Sequence, residues 1–102
     1  MSYNYNHVKV KGVVTPLGSL PGEDDLEALM NMLRDEARRR GAYSYFFRPL
    51  WWAGKVYFEF LFKEDPPFRG VLRGVAEKLK IKLHFSYQVY YCNTIIREGT
   101  VP

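Results

Sequence analysis

Histidine, cysteine and clustered carboxylates are the side chains of this 102-residue chain that could carry out chemistry. The chain has two histidines, His7 and His84, and one cysteine, Cys92. A catalytic nucleophile needs a neighbouring base, and a structural metal needs several ligands at fixed spacing. Neither histidine has such a partner in sequence, and one cysteine forms neither an internal disulfide nor a multi-thiolate metal site. We therefore expect no catalytic residue, no metal and no cofactor.

Four carboxylates lie close together at Glu23, Asp24, Asp25 and Glu27. Acidic side chains in the first turn of a helix stabilise the positive end of the helix dipole. A segment of helical periodicity follows directly, and Asp24 with Glu27 three residues later has the form of a capping box. The acidic cluster therefore predicts the start of a helix rather than a cation site.

Two segments of helical periodicity reveal an internal repeat. Their apolar residues fall at the same five relative positions, which are Leu26, Leu29, Met30, Leu33 and Ala37 in the first segment and Phe68, Val71, Leu72, Val75 and Leu79 in the second. At the same shift of 42 residues, residues 43–45 align with residues 85–87. Gly41 suits the left-handed end of the first helix, and Asp65 with Pro66 suits the start of the second.

Each helix is preceded by an alternating segment, at residues 7–14 and 55–62. The resulting order is βαββαβ. We predict an α+β, ferredoxin-like single domain: two pseudo-repeated βαβ motifs that form a four-stranded antiparallel sheet with both helices on one face. The first repeat covers about residues 7–50 and the second about 55–92, followed by a tail at 93–102. The first and third strands are central in this fold, and the second and fourth are edges.

Alternation along the strands assigns side chains to the two faces of the sheet. The face toward the helices is predicted to hold Val8, Val10, Tyr43, Tyr45, Phe47, Val56, Phe58, Phe60, Phe85, Tyr87 and Val89. The opposite face holds the candidate binding residues Lys9, Lys11, Phe46, Arg48, Lys55, Tyr57, His84 and Tyr90.

The formal net charge is +4, and residues 21–41 contain six of the 11 acids but only four of the 15 bases. The positive surplus outside the first helix is compatible with binding a polyanion.

The two central strands resemble the signature strands of RNA-recognition motifs. Residues 8–13 are similar to the apolar-aromatic-apolar segment of that family's first strand, and residues 53–60 are similar to the octamer of its third strand through Gly54, Tyr57, Phe58 and Phe60. The resemblance covers about residues 7–91. It implies binding of single-stranded RNA or DNA, whose bases stack on aromatic rings while lysines and arginines neutralise phosphates. Two of the three stacking positions hold Lys9 and Lys55, which leaves Tyr57 as the aromatic one.

The favoured hypothesis is protein binding or self-association through an edge strand. Residues 83–91 contain neither acid, lysine, arginine nor proline, and an unguarded edge favours strand addition or a homodimer. The second strand ends in Arg48 and Pro49, which would guard it. The alternative for residues 83–91 is that the tail, with Ile95 and Ile96, folds back and covers them. A groove between the two repeats is the other candidate site for a peptide.

Trp51 and Trp52 lie in the turn between the second and third strands. We expect them to cap the open end of the core, because Leu50 makes the stretch continuously apolar. The alternative is an exposed anchor, since tryptophan is enriched among residues that dominate binding energies.

The sequence predicts neither a membrane-spanning segment nor a secretion signal. No apolar run approaches the ~20 residues that span a bilayer, and the first residues lack the basic and apolar regions of a secretion signal. We therefore expect a cytoplasmic, non-enzymatic binding module with no membrane partner. Its expected partner is a protein or peptide, including a second copy in a homodimer, and nucleic acid is the alternative.

Overall fold

The structure, a computed structural model, describes residues 8–17, 22–64, 68–79 and 82–101. Its elements in chain order are β1 (Val8–Pro16), α1 (Glu23–Arg39), β2 (Ala42–Leu50), a 3₁₀ turn (Trp51–Ala53), β3 (Lys55–Phe62), α2 (Phe68–Leu79), β4 (Leu83–Tyr91) and β5 (Thr94–Val101). The predicted βαββαβ order is confirmed for the helices and strands from β1 to β4. The predictions for His7, Asp65 and Pro66 lie outside the described residues.

The sheet has the order β2-β3-β1-β4-β5, and every neighbouring pair is antiparallel. With β1 and β3 at the centre and two helices on one face, this is the predicted ferredoxin-like arrangement. The predicted number of four strands was wrong. The tail forms β5 and pairs along β4 from Phe85 opposite Val101 to Tyr91 opposite Thr94. β4 is therefore not an edge, and the edges of the described sheet are β2 and β5.

The first helix starts and ends at positions that the local sequence explains. The Gly22 N–H donates a hydrogen bond to Asp25 Oδ2 at 3.1 Å. The cap therefore involves Asp25 rather than the predicted pair of Asp24 and Glu27. Gly41 follows the helix with a φ of 106°, a left-handed value that favours glycine.

Aromatic rings fill the core between the helices and the sheet. The Phe68 ring lies 5.7–6.1 Å, centroid to centroid, from the rings of Phe58, Phe60, Phe62 and Tyr87. The other buried apolar side chains of the helices follow the predicted spacing, at Leu26, Leu29, Leu33 and Ala37 in α1 and at Val71, Leu72 and Val75 in α2. Burial on β1, β3 and β4 also alternates as predicted.

One row of residues across the sheet alternates between large and small. Phe58, Gly12, Tyr87 and Gly99 are successive partners on β3, β1, β4 and β5. A Cβ atom on Gly12 would lie 2.6 Å from the Phe58 ring and 2.4 Å from the Ser86 carbonyl oxygen. A Cβ atom on Gly99 would lie 2.8 Å from the Tyr87 hydroxyl. The two glycines leave the space that the two neighbouring rings occupy.

β2 departs from the predicted alternation. The register changes from Ala42 opposite Phe62 to Ser44 opposite Leu61, which places Tyr43 at a bulge. Tyr45 lies opposite Phe60 but is 46% exposed. The bulge takes Tyr43 out of the predicted alternation and leaves it 43% exposed. Tyr45 keeps the predicted face, but it is exposed because β2 lies at the rim of the sheet.

A buried carboxylate joins the two helices. Glu36 is 3% exposed, and its Oε1 accepts a 2.6 Å hydrogen bond from Lys78 Nζ and lies 2.8 Å from Arg39 Nη2. Glu36 and Lys78 are 42 residues apart and so occupy equivalent positions of the two repeats. The hydrogen bond from Lys78, aided by the charge of Arg39, holds the pKa of Glu36 below its ordinary 4.5, although burial acts in the opposite direction.

Replacing Gly12 by alanine should destabilise the fold by about 1–3 kcal/mol, because the new methyl group meets backbone and a buried ring. Gly70→Ala is the matched control, since a Cβ atom there meets nothing within 4 Å. Gly70 is the third residue of α2, so the control should gain at most about 0.5–1 kcal/mol from helix propensity. Urea unfolding measures both values. Equal stability of G12A and the wild type would contradict the proposed ring-over-glycine packing.

Glu36→Gln should lower the free energy of unfolding by about 1–2 kcal/mol at neutral pH, because it weakens two charge-assisted contacts whose basic partners are partly solvated. The folded-state pKa is lowered, so the contribution of Glu36 is present above the unfolded-state pKa and is lost as pH falls through the folded-state value. The difference between E36Q and wild type should therefore vanish in acid. Glu77→Gln, an exposed carboxylate on α2, is the control, and thermal unfolding from neutral pH to about pH 3 checks the trend.

Candidate protein-binding surface

The sheet face turned away from the helices, here called the open face, holds the predicted binding residues of the central strands. On β1 and β4, Lys11 Nζ lies 5.3 Å from the centroid of the Tyr90 ring. The Tyr90 hydroxyl donates a 2.8 Å hydrogen bond to Gln88 Oε1, and Gln88 Nε2 donates to Glu98 Oε1 at 3.4 Å. Lys9 lies opposite Tyr90. Lysine and tyrosine side chains thus lie together on this face, as predicted. The ammonium group of Lys11 covers the face of the Tyr90 ring on which a base would stack.

A second group on the open face joins β2 to β3. The rings of Phe46 and Tyr57 meet edge to face with centroids 6.4 Å apart, and Arg48 lies opposite Tyr57. The Tyr57 hydroxyl donates a 2.7 Å hydrogen bond to Glu59 Oε2. Burial, together with this hydrogen bond and the charge of Glu59, raises the pKa of Tyr57 to about 12. Tyr57 is therefore a neutral hydrogen-bond donor at physiological pH.

A shallow groove of about 210 Å³ separates the two groups, lined in part by Lys11, Tyr57 and Gln88. It lies among β1, β3 and β4, and the predicted peptide site in a groove between the repeats stays a prediction. The bases of the open face are interspersed with the carboxylates of Glu59 and Glu98, so its charge is mixed. Sequence reasoning missed the contribution of Glu98, because the tail that carries it was not assigned to the sheet.

The remaining chemical candidates lie apart from these groups. His84 lies opposite Thr15, near the start of β4, whereas Cys92 follows the end of the same strand. Within residues 8–17, 22–64, 68–79 and 82–101, no three His, Cys, Asp or Glu side chains are placed to hold a metal ion. In the same ranges no helix is long and apolar enough to cross a membrane.

β2 and the turn after it form an exposed surface, here called the aromatic edge. Its members are 40–78% exposed and comprise Tyr43, Tyr45, Phe46, Trp51 and Trp52. The interpretation of Trp51 and Trp52 as a cap on the core was wrong, because the 3₁₀ turn that holds them buries neither. Gly54 closes that turn in the left-handed conformation, and its N–H donates to the Trp51 carbonyl at 3.3 Å. The alternative prediction of an exposed tryptophan pair is confirmed.

The two edge strands of the described sheet differ in the charged and proline residues that discourage pairing with a further strand. β5 carries Arg97 and Glu98 in its middle, and charges there discourage pairing with another strand. β2 has no charge from residue 42 to 47 and is guarded only at its end, by Arg48 and Pro49. The prediction of an unguarded edge at residues 83–91 was wrong, because β5 covers that strand. The weakly guarded and aromatic edge of the described sheet is β2.

Comparison with known proteins identifies no family for the chain. No family model matches it, and no curated protein matches it. Among solved structures, a formyltetrahydrofolate deformylase from Pseudomonas putida KT2440 is similar at 17% identity and a TM-score of 0.41, over 78% of this chain and 28% of that one. The chain thus spans under a third of the deformylase.

A dimeric ferredoxin-like protein from an uncultured marine organism is similar at 13% identity and a TM-score of 0.47, over 97% of this chain and 96% of that one. Similarity at this level carries no argument about function. The resemblance to RNA-recognition motifs stays a prediction.

The Tyr57 hydroxyl should titrate near pH 12, and Glu59→Gln should move the midpoint down by removing the adjacent negative charge. Part of the elevation should persist, since burial is its largest cause. NMR of ring-labelled tyrosine, assigned with Tyr57→Phe, measures the midpoint. Glu98→Gln is the control, because Glu98 bonds Gln88 rather than Tyr57. An unchanged midpoint in E59Q would contradict the described contact.

Proposed function

We propose that the protein is a non-enzymatic module that binds protein through the aromatic edge. The observation that carries this proposal is the position of Tyr45 and Phe46, 46% and 52% exposed, on a strand that lies at the rim of the sheet. An edge strand presents backbone N–H and C=O groups that a further strand can pair with. The exposed rings add apolar contact area on both faces of that strand.

The extent of the aromatic edge supports a protein partner rather than a small ligand. Stable protein interfaces bury upwards of about 1,000 Å² and concentrate their energy in a few aromatic or arginine side chains. The aromatic edge runs along β2 and continues through the turn to Trp52, the most exposed large apolar side chain of the described residues at 78%. The groove on the open face is shallow, with a volume of about 210 Å³, and the charged residue in its lining is Lys11.

The absence of enzymatic activity is part of the same proposal. His84 and Cys92 are separated by almost the whole length of β4, or ~25 Å of extended strand. Glu36, which joins the two helices, forms ion pairs with Lys78 and Arg39. Neither placement brings a nucleophile to a base.

Binding of single-stranded nucleic acid on the open face is the second candidate. Lys9, Lys11, Arg48 and Lys55 supply the cations for phosphates. The stacking platform is weaker, because Lys11 covers the Tyr90 ring and the Tyr57 hydroxyl is bonded to Glu59. We therefore place protein binding first.

Phe46→Lys should abolish binding of extended peptides selected against the wild-type protein from a displayed random library. The substitution places a charge in the middle of the edge strand, where it opposes strand addition. Ile95→Lys is the matched control, since it makes the same type of change at an exposed residue of the other edge strand. Affinity measured by fluorescence anisotropy should be unchanged in I95K.

Two outcomes would contradict this function. If the selected peptides bind F46K as tightly as the wild type, the aromatic edge is not the surface that binds them. If no peptide is selected, and a labelled oligonucleotide binds with an affinity that falls as salt rises, the open face is the functional surface instead.

A further inference from the structure

We infer that the partner of the aromatic edge is a second copy of this chain, with β2 of each copy paired antiparallel about a twofold axis at Phe46. The inference rests on the proposed function and specifies its partner. It predicts one continuous sheet of ten strands, in which the helices of both copies lie on the same side.

Two irregularities delimit the segment of β2 that can pair. Tyr43 occupies the bulge at one end, and Pro49, which has no N–H to donate, lies at the other. The regular window between them runs from Ser44 to Arg48, and Phe46 is its centre. A segment with a defined centre pairs with its own copy in one preferred register, because any shift brings the bulge or the proline into the ladder.

The side chains in this window are compatible with their own copy. Twofold pairing about Phe46 places Ser44 opposite Arg48 and Tyr45 opposite Phe47 of the partner subunit. Arg48 carries the only charge of the window, and it faces a small polar residue rather than another arginine. On the helix side, the Tyr45 and Phe47 rings already lie 5.7 Å apart in one copy, so pairing would join two such pairs into one apolar cluster.

The exposed tryptophans lie at an end of the same interface. Trp51 and Trp52 follow the C-terminal end of the window, and Arg40 precedes its N-terminal end. Antiparallel pairing therefore brings the tryptophans of one copy to the same end of the interface as Arg40 of the partner subunit. Arg40 is exposed, and arginine stacks favourably on the indole ring.

Cysteine cross-linking tests the register in a Cys92→Ser background. A residue on the axis faces its own copy with Cα atoms ~4.5–5.5 Å apart, within the range of a disulfide. Phe46→Cys should therefore form a covalent dimer on mild oxidation. Ser44→Cys is the matched control in the same window: its own copy lies about four residues away along the strand, or ~13 Å, so it should not cross-link.

Sedimentation equilibrium of the unoxidised full chain provides the second measurement. The wild type should be a dimer whose dissociation constant rises at least ~10-fold in F46K, as expected for loss of a central aromatic contact. The dissociation constant should not change in I95K. Circular dichroism identifies any variant that fails to fold.

The outcomes separate this inference from the proposed function. A wild type that stays monomeric at all concentrations, while selected peptides bind the aromatic edge, overturns the homodimer and leaves protein binding in place. Equal cross-linking of the Ser44 and Phe46 variants overturns the register. A wild type that neither binds selected peptides nor forms a dimer would contradict the proposed function as well.

Discussion

The packing of aromatic rings over glycines is the constraint on which the rest of this structure depends. β1 lies between two strands that carry rings, and it fits there because Gly12 leaves the space that Phe58 fills. The tail can close onto β4 because Gly99 leaves room for Tyr87. β5 is then held by its buried end residue Val101 and by α2, whose Arg69 donates to the Thr100 carbonyl at 3.1 Å. Gly12 and Gly99 thus permit the close packing of the rings and of β5 in this sheet.

The location of the binding surface follows from this closure. Because β5 covers β4 and carries Arg97 and Glu98 along its own edge, the aromatic and weakly guarded rim of the described sheet is β2. The core reaches this rim through Phe47, whose ring lies 5.7 Å from that of Phe60. Beyond Phe47 the aromatic packing continues outward to Tyr45, where it meets solvent. The surface proposed for binding is therefore a continuation of the core rather than a separate patch, and a partner strand would complete that packing.

Much of the fold could be predicted from local periodicity. The repeated offsets identified both helices, and the shift of 42 residues also relates Glu36 to Lys78, although sequence alone did not indicate their contact. The fifth strand was not predicted as an element, because its turn has Cys92 and Asn93 in left-handed conformation rather than the asparagine-glycine pair that marks such hairpins. The exposure of β2 was not predicted, because alternation reveals neither the bulge at Tyr43 nor the position of Tyr45 at the rim of the sheet. Of the residues in the aromatic edge, the sequence therefore indicated Phe46, Trp51 and Trp52 as candidate binding residues, but not Tyr43 and Tyr45.

Amide hydrogen exchange at two protein concentrations tests the central claim most directly. Residues 44–48 have one side of their backbone paired with β3 and the other directed to the rim, so the rim-facing amides should exchange more slowly as the concentration of the protein rises. The amides of β5, at the opposite rim, should exchange at the same rate at both concentrations. Exchange in β2 that is independent of concentration, together with slower exchange in β5 or on the open face, would contradict an account in which β2 is where this chain meets its partner.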